Sequence, residues 1–296
     1  MSNESQGDPM IIDLHTHSAV SDGTDSVPEL IDAASAAGIG ILALTDHDTM
    51  DGVDLAQDLG AQAGIEVLRG MELSTHIDAD SGIFSVHLLA YGCLSEDPEI
   101  IALLEALRQA RTSRVPRMLE HLTDMGMPVT IEEVQAQSSS ASVLGRPHIA
   151  DAMVVKGYVK NRTEAFDAYL SDTGPAYVRR YTPSVAEALD IIAGAGGVGV
   201  LAHPWGRGNQ SRLTTAIIAE LSTNHGLAGI EVDHTDHGDL ERQVLRSIVN
   251  DLGLVATGSS DYHGTGKANN PLAINRTTPD AYELLRSEIE RRGGRP

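Results

Sequence analysis

A chain of 296 residues is long enough to bury a full α/β core, and its formal net charge of −21 disfavours docking on long nucleic acids or anionic membranes. It leaves a small anionic substrate open, because bound divalent metals invert the local field. Aromatics are 3% of the residues, so the core is built from Ala, Ile, Leu and Val, and the single cysteine, Cys93, excludes an intrachain disulfide and fits a reducing compartment.

Residues 1–9 are polar and lack the basic and apolar regions of a signal peptide. No apolar stretch approaches the roughly 18 residues of a membrane span, so the sequence reads as cytoplasmic. From residue 10 to about 92, strand-like and helix-like segments alternate. Ile11–Leu14 reads as a strand, and Val27–Ala37 as a helix behind the N-cap Ser26 and Pro28. Ile41–Thr45 is the next strand, Val53–Gln62 the next helix, and Ile65–Leu73 and Ile83–Tyr91 are two more strands. Such alternation predicts a mostly parallel sheet. Between 97 and 182 the pattern turns helical: Ile100–Arg114, with Pro116 expected to kink or restart it, then Pro147–Val155 and Arg162–Leu170. Thr130-x-x-Glu133 matches a capping box, and Gln135–Ser142 is a polar loop. Alternation then returns. Ser184-x-x-Glu187 caps a helix to Ala193, and strands near Val198, Ile230 and Val255 are separated by helices at 213–224 and 239–251. The expected architecture is a seven-stranded α/β barrel over residues 10–96 and 183–285, with residues 97–182 as a helical insertion over its mouth.

Potential metal ligands cluster where strands end. Asp13-Leu-His15-Thr-His17 with Asp22, Thr45-Asp46-His47-Asp48, Ala202-His203-Pro204 and Ser260-Asp261-Tyr262-His263 each follow an apolar run. Barrel enzymes place their chemistry at such ends. Imidazoles mixed with carboxylates suit Zn, Mn or Fe, and the oxygen-rich share favours more than one ion. Glu72, in Gly70-Met-Glu-Leu, is placed to bridge two metals, whereas His87, inside the apolar run Phe84–Ala90, reads by itself as a core histidine.

Together these segments resemble the PHP (polymerase and histidinol phosphatase) family of metal-dependent phosphoesterases, from about Met10 to Ile274. The run Gly145-Arg-Pro-His-Ile-Ala150 is similar to the stand-alone bacterial branch that dephosphorylates nucleoside 3′,5′-bisphosphates or trims short RNA from its 5′ end. The resemblance implies a distorted (β/α)7 barrel holding two to three divalent ions. It places His15, His17, Glu72 and Asp261 on one ion, Glu72, His87 and His203 on a second, and Asp22, His47 and His263 on a third. It further implies removal of the 3′-phosphate of a nucleoside bisphosphate, with AMP and phosphate as products. Two ions about 3.5–4 Å apart suit in-line attack at phosphorus. Asp46 is expected to orient a ligating histidine, and His237 is a candidate general acid. Arg146 and His148 at a helix start are candidates for a second phosphate, with Arg207 and Lys267 as weaker ones. Trp205 suits either base stacking or packing, and Arg111, Arg114 and Arg117 recur at helical spacing on a face that either lines the cleft or is solvated, the solvated face being the preferred reading. Histidinol-phosphate hydrolysis, short-RNA exonucleolysis and a non-catalytic module accompanying a polymerase are the alternatives; retention of every ligand type argues against the last.

Overall fold

A computed structural model describes residues 10–137 and 144–296. Seven strands lie side by side in chain order: β1 (Ile11–Thr16), β2 (Ile39–Leu44), β3 (Glu66–Ala79), β4 (Gly82–Tyr91), β5 (Val198–Ala202), β6 (Gly229–Asp233) and β7 (Val255–Gly258). The strand count agrees with the sequence expectation, and the sheet is parallel except at β4. β3 runs past Leu73 to Ala79 and pairs with β4 from Gly70–Tyr91 to Ala79–Gly82. Asp80-Ser81 closes this hairpin, and Gly82 takes a φ of 94° that other residues rarely adopt. A turn so short can join only antiparallel strands, so β4 opposes both β3 and β5. β1 and β7 are linked by one bridge at Thr16–Tyr262, where the His17 N–H donates to the Tyr262 carbonyl at 2.9 Å. Among the described residues no ladder joins them, so the barrel is distorted and open.

The described residues form ten α-helices: α1 (Val27–Ala36), α2 (Val53–Ala63), α3 (Pro98–Asp124), α4 (Ile131–Gln135), α5 (Arg146–Val155), α6 (Arg162–Ala165), α7 (Val185–Gly194), α8 (Thr215–His225), α9 (Asp239–Leu252) and α10 (Pro279–Arg292). The capping boxes at Ser26–Glu29 and Thr130–Glu133 are both formed, and Ser184 accepts from the Glu187 N–H. A π-helical turn, Phe166–Leu170, continues α6. Pro116 does not restart the chain: α3 runs through it as one 27-residue helix, held by apolar residues buried on both sides. Its first half, through Ile100, Leu103 and Leu107, packs into the barrel core. Its second half, with Val115, Met118 and Leu122, joins a separate core with Ile149, Met153 and Leu170 of the later helices. α10, which the sequence reading did not anticipate, covers the barrel through Tyr282, Leu285 and Ile289. Part of the polar loop expected at 135–142 lies outside the described residues, as do residues 1–9. Among the described residues no helix is long and apolar enough to cross a membrane.

Packing is tight where α7 meets the sheet. A methyl group on Gly197 would collide with the Cys93 sulfur and the Tyr91 carbonyl, both buried. Gly197→Ala is therefore expected to cost about 1–3 kcal/mol in urea denaturation, the usual effect of overpacking a core.

Candidate metal centre

The parallel strands deliver their C-terminal ends to one side, and the ligand candidates converge there around Glu72, a carboxylate 1% exposed. Its Oε1 lies 2.7 Å from His87 Nδ1 and 3.1 Å from His203 Nε2. Its Oε2 lies 3.3 Å from His15 Nε2, 3.2 Å from His17 Nε2 and 3.0 Å from His47 Nδ1. The two oxygens thus face two different sets of imidazoles. His87 reaches Oε1 because antiparallel β4 pairs it directly with Ser74, two residues from Glu72 on β3, and with Ala202, the last residue of β5 before His203. The core-histidine reading of His87 is thereby corrected.

Asp261 Oδ1 approaches His15 and His17 Nε2, each at 3.5 Å. Asp22 lies 3.3 Å from His263 Nε2 and 3.7 Å from His47 Nε2, and the His17 and His263 rings are 4.1 Å apart. Among the described residues, four sets of ligand atoms are each compact enough for one ion: His17, Asp22, His47 and His263; His15, Glu72 and His203; His15, His17 and Asp261; His47, Glu72 and His87. All nine predicted positions fall within these sets.

The donor chemistry fits metal ions. Among the described residues, His17 Nδ1, His47 Nδ1 and Asp261 Oδ1 are buried without a hydrogen-bond partner. His47 Nδ1 is near Glu72 but not aligned with it. Buried polar atoms are normally satisfied, so such orphans point to a missing partner. Burial pushes His203 and His263 down to about 4, which leaves neutral lone pairs. Burial also opposes charge on His17, but Asp261 and Glu72 outweigh it and push that imidazole up to about 9. Burial likewise works against ionisation of Glu72, and the surrounding histidines hold it well below the ordinary value.

Strained backbone aims several of these groups. His203 and Asp261 have φ of 30° and 53°, and Asp48, next to His47, has 56°. Non-glycine residues pay for such conformations, which concentrate at functional sites.

The remaining candidates fall elsewhere than expected. Asp46 accepts from the Ser18 N–H at 2.9 Å and from the Ser18 and Ser21 hydroxyls at 2.6 Å each, and touches no histidine N–H. It braces the turn between His17 and Asp22. His237 donates from Nδ1 to the Val232 carbonyl at 2.9 Å and accepts at Nε2 from the Trp205 N–H at 3.3 Å, so both ring nitrogens serve the loop backbone. Trp205 is buried, its indole N–H bonded to the Leu213 carbonyl, which decides for packing. Arg146 Nη1 donates to Asp172 at 2.6 Å and to the Leu170 carbonyl at 3.0 Å. His148 Nδ1 accepts from the Gly145 N–H at 3.0 Å, capping α5. Lys267 Nζ lies 2.5 Å from Asp261 Oδ2. The side chain of Arg207 lies outside the described residues. Arg117 is exposed as expected, but Arg111 and Arg114 are buried rather than solvated.

Two participants escaped the sequence reading. Glu231, fully buried on β6, binds His15 Nδ1 at 3.0 Å and accepts the His203 N–H at 2.7 Å. His234 sits 3.3 Å from Asp261 Oδ2. The available signal for Glu231 was an acid inside the apolar strand Gly229-Ile-Glu-Val-Asp233.

Comparison with known proteins shows which family the chain belongs to. The PHP domain pattern matches residues 13–136. The chain is 32% identical over 288 residues, 96% of itself and 98% of the relative, to a 3′,5′-nucleoside bisphosphate phosphatase from Chromobacterium violaceum. It is 30% identical to a 5′-3′ exoribonuclease from Haemophilus influenzae, covering 85% of this chain and 89% of that one. A solved structure from Bifidobacterium adolescentis, assigned as a metal-dependent phosphoesterase, superposes with a TM-score of 0.87 at 33% identity over 94% of this chain and 96% of that one. Fold and site define a metal-dependent hydrolase of phosphate esters. The chain belongs to the PHP family of phosphoesterases.

Because Glu231 fixes the His15 ring from behind, Glu231→Gln is expected to weaken metal affinity about 10- to 100-fold. Competition with a fluorescent chelator measures it; unchanged affinity would show that Glu231 serves only the strand.

Proposed function

We propose that the protein removes the 3′-phosphate of nucleoside 3′,5′-bisphosphates, leaving a nucleoside 5′-monophosphate such as AMP. The observation carrying this reading is the division of Glu72, one oxygen facing His87 and His203 and the other His15, His17 and His47. The named activity of the Chromobacterium relative, matched over nearly its whole length, supports the substrate. The proposal places two to three divalent ions, Mn, Zn or Fe, on His15, His17, Glu72 and Asp261; on Glu72, His87 and His203; and on Asp22, His47 and His263. Ions held there supply the positive charge that polarises a phosphoryl group and activates water for in-line attack. The chain's own part is orientation. Glu231 holds His15, Asp46 holds the Ser18–Ser21 turn, and Lys267 offsets the charge of Asp261. Residues 97–182 serve as a cap over the mouth, and the setting is cytoplasmic. A second reading, trimming of short RNA from its 5′ end, is favoured by the Haemophilus relative.

Elemental analysis of protein purified without chelator is expected to find two to three transition-metal ions per chain. One ion or none after Mn²⁺ or Zn²⁺ reconstitution defeats the ligand assignment. Glu72→Gln, whose neutral amide cannot balance two cations, is expected to lose turnover by several orders of magnitude while circular dichroism is unchanged. Phosphate release measured over nucleoside bisphosphates, histidinol phosphate and 5′-phosphorylated dinucleotides decides the substrate: the first is expected to be turned over fastest, and preference for either of the others would overturn the reading.

A further inference from the structure

Between α3, α5 and the segment leading to α7 the protein buries more positive charge than it neutralises. Arg111 Nη2 lies 2.5 Å and Arg180 Nη2 3.2 Å from the same oxygen of Asp48. Arg146 pairs with Asp172 at 2.6 Å. Arg114 is different. It is 6% exposed, its Nε is buried and unpaired, and among the described residues it makes no hydrogen bond and has no carboxylate within 4 Å. Burial, and then Arg146, Arg180 and Arg111, all act against its charge. A guanidinium keeps its proton at neutral pH, so among the described residues this charge stays buried without a counter-ion. Such an arrangement destabilises a fold unless something anionic completes it.

The cluster adjoins the metal centre. Asp48 follows His47 in sequence, and its other oxygen accepts the Ser74 N–H at 2.7 Å, two residues from Glu72 on β3. The N-terminus of α5 abuts it: a Cβ on Gly145 would lie 3.4 Å from Arg111 Nη1, so glycine there lets helix and guanidinium approach. His148, on the same turn, feels the charges of both Asp22 and Arg111. Planar guanidinium forks and a helix N-terminus both suit the oxygens of a phosphate monoester.

We infer that Arg114, with Arg111 and Arg180, forms a subsite for a terminal phosphate monoester that is bound but not cleaved. This rests on the proposed two-phosphate substrate, and it moves the recognition role from Arg146, which Asp172 already engages, to the arginine that has no counter-ion among the described residues. The phosphate belongs to a nucleoside 5′-phosphate or to the 5′ end of a short RNA; both present the same dianion.

The test compares metal-loaded wild type with Arg114→Met and Arg114→Lys. Without added anion, Arg114→Met is expected to melt at the same temperature as wild type or higher, since it removes an uncompensated charge. Inorganic sulfate is expected to raise the melting temperature of wild type and of Arg114→Lys more than that of Arg114→Met. Binding of a nucleoside 5′-monophosphate, followed by calorimetry, is expected to weaken about 10- to 150-fold in Arg114→Met, the scale of lost hydrogen bonds to a charged group. The kinetic preference for a 3′,5′-bisphosphate over a 3′-monophosphate, and for a 5′-phosphorylated over an unphosphorylated dinucleotide, is expected to shrink by a similar factor in whichever pair matches the substrate. Equal stabilisation by sulfate in all three proteins, or a preference that survives in Arg114→Met, overturns the subsite. A lower melting point for Arg114→Met with unchanged sulfate response would mark Arg114 as structural and also overturn it. Failure of wild type to turn over bisphosphates would instead defeat the substrate reading, and the sulfate comparison would still decide the subsite.

Discussion

Glu72 is the group around which the site is arranged. An ionised carboxylate inside a protein is costly unless nearby groups balance it. Here five imidazoles, from β1, β4 and the loops after β2 and β5, lie within 3.3 Å of its two oxygens. The five imidazoles come from four different strands or strand ends, so holding them around one acid requires the sheet to curl. Among the described residues no ladder joins β1 to β7, and that seam is held by the Thr16–Tyr262 bridge and by side chains, including the Asp13 carboxylate, which accepts the Ser260 and Ala273 N–H groups at 3.0 and 2.9 Å.

Behind the ligands lies a layer of buried polar groups that fixes their direction. Glu231 spans β1 and β5 by contacting His15 and the His203 backbone, and Asp46 ties the turn between His17 and Asp22 to the end of β2. The left-handed conformations at Asp48, His203 and Asp261 fall just beyond β2, β5 and β7. Such strain persists only where surrounding contacts over-determine it, and these residues have them. Asp48 in particular is gripped by Arg111, Arg180 and the Ser74 N–H. Through those two arginines the helical segment between β4 and α7 is joined electrostatically to the strand end that carries His47, while its later helices share an apolar core of their own.

Much of this was legible in the sequence, because the physics involved is local. Apolar runs bounded by turn residues mark buried strands, and seven strands, most helices and the caps at Ser26, Thr130 and Ser184 follow from period and capping chemistry. Placing His, Asp and Glu at or just after the ends of those runs brought most of the ligand candidates to one end of one barrel. The tertiary structure decided what local patterns do not encode. The β3–β4 hairpin reversed one strand and so drew His87 from an apolar run into the site. Which oxygen of Glu72 faces which histidine depends on strands far apart in the chain. Helical spacing showed that Arg111 and Arg114 share a face but not that the face would be covered, since burial is set by what folds over a surface. Glu231 and Asp46 differ from solvated acids only through partners supplied by other strands and turns.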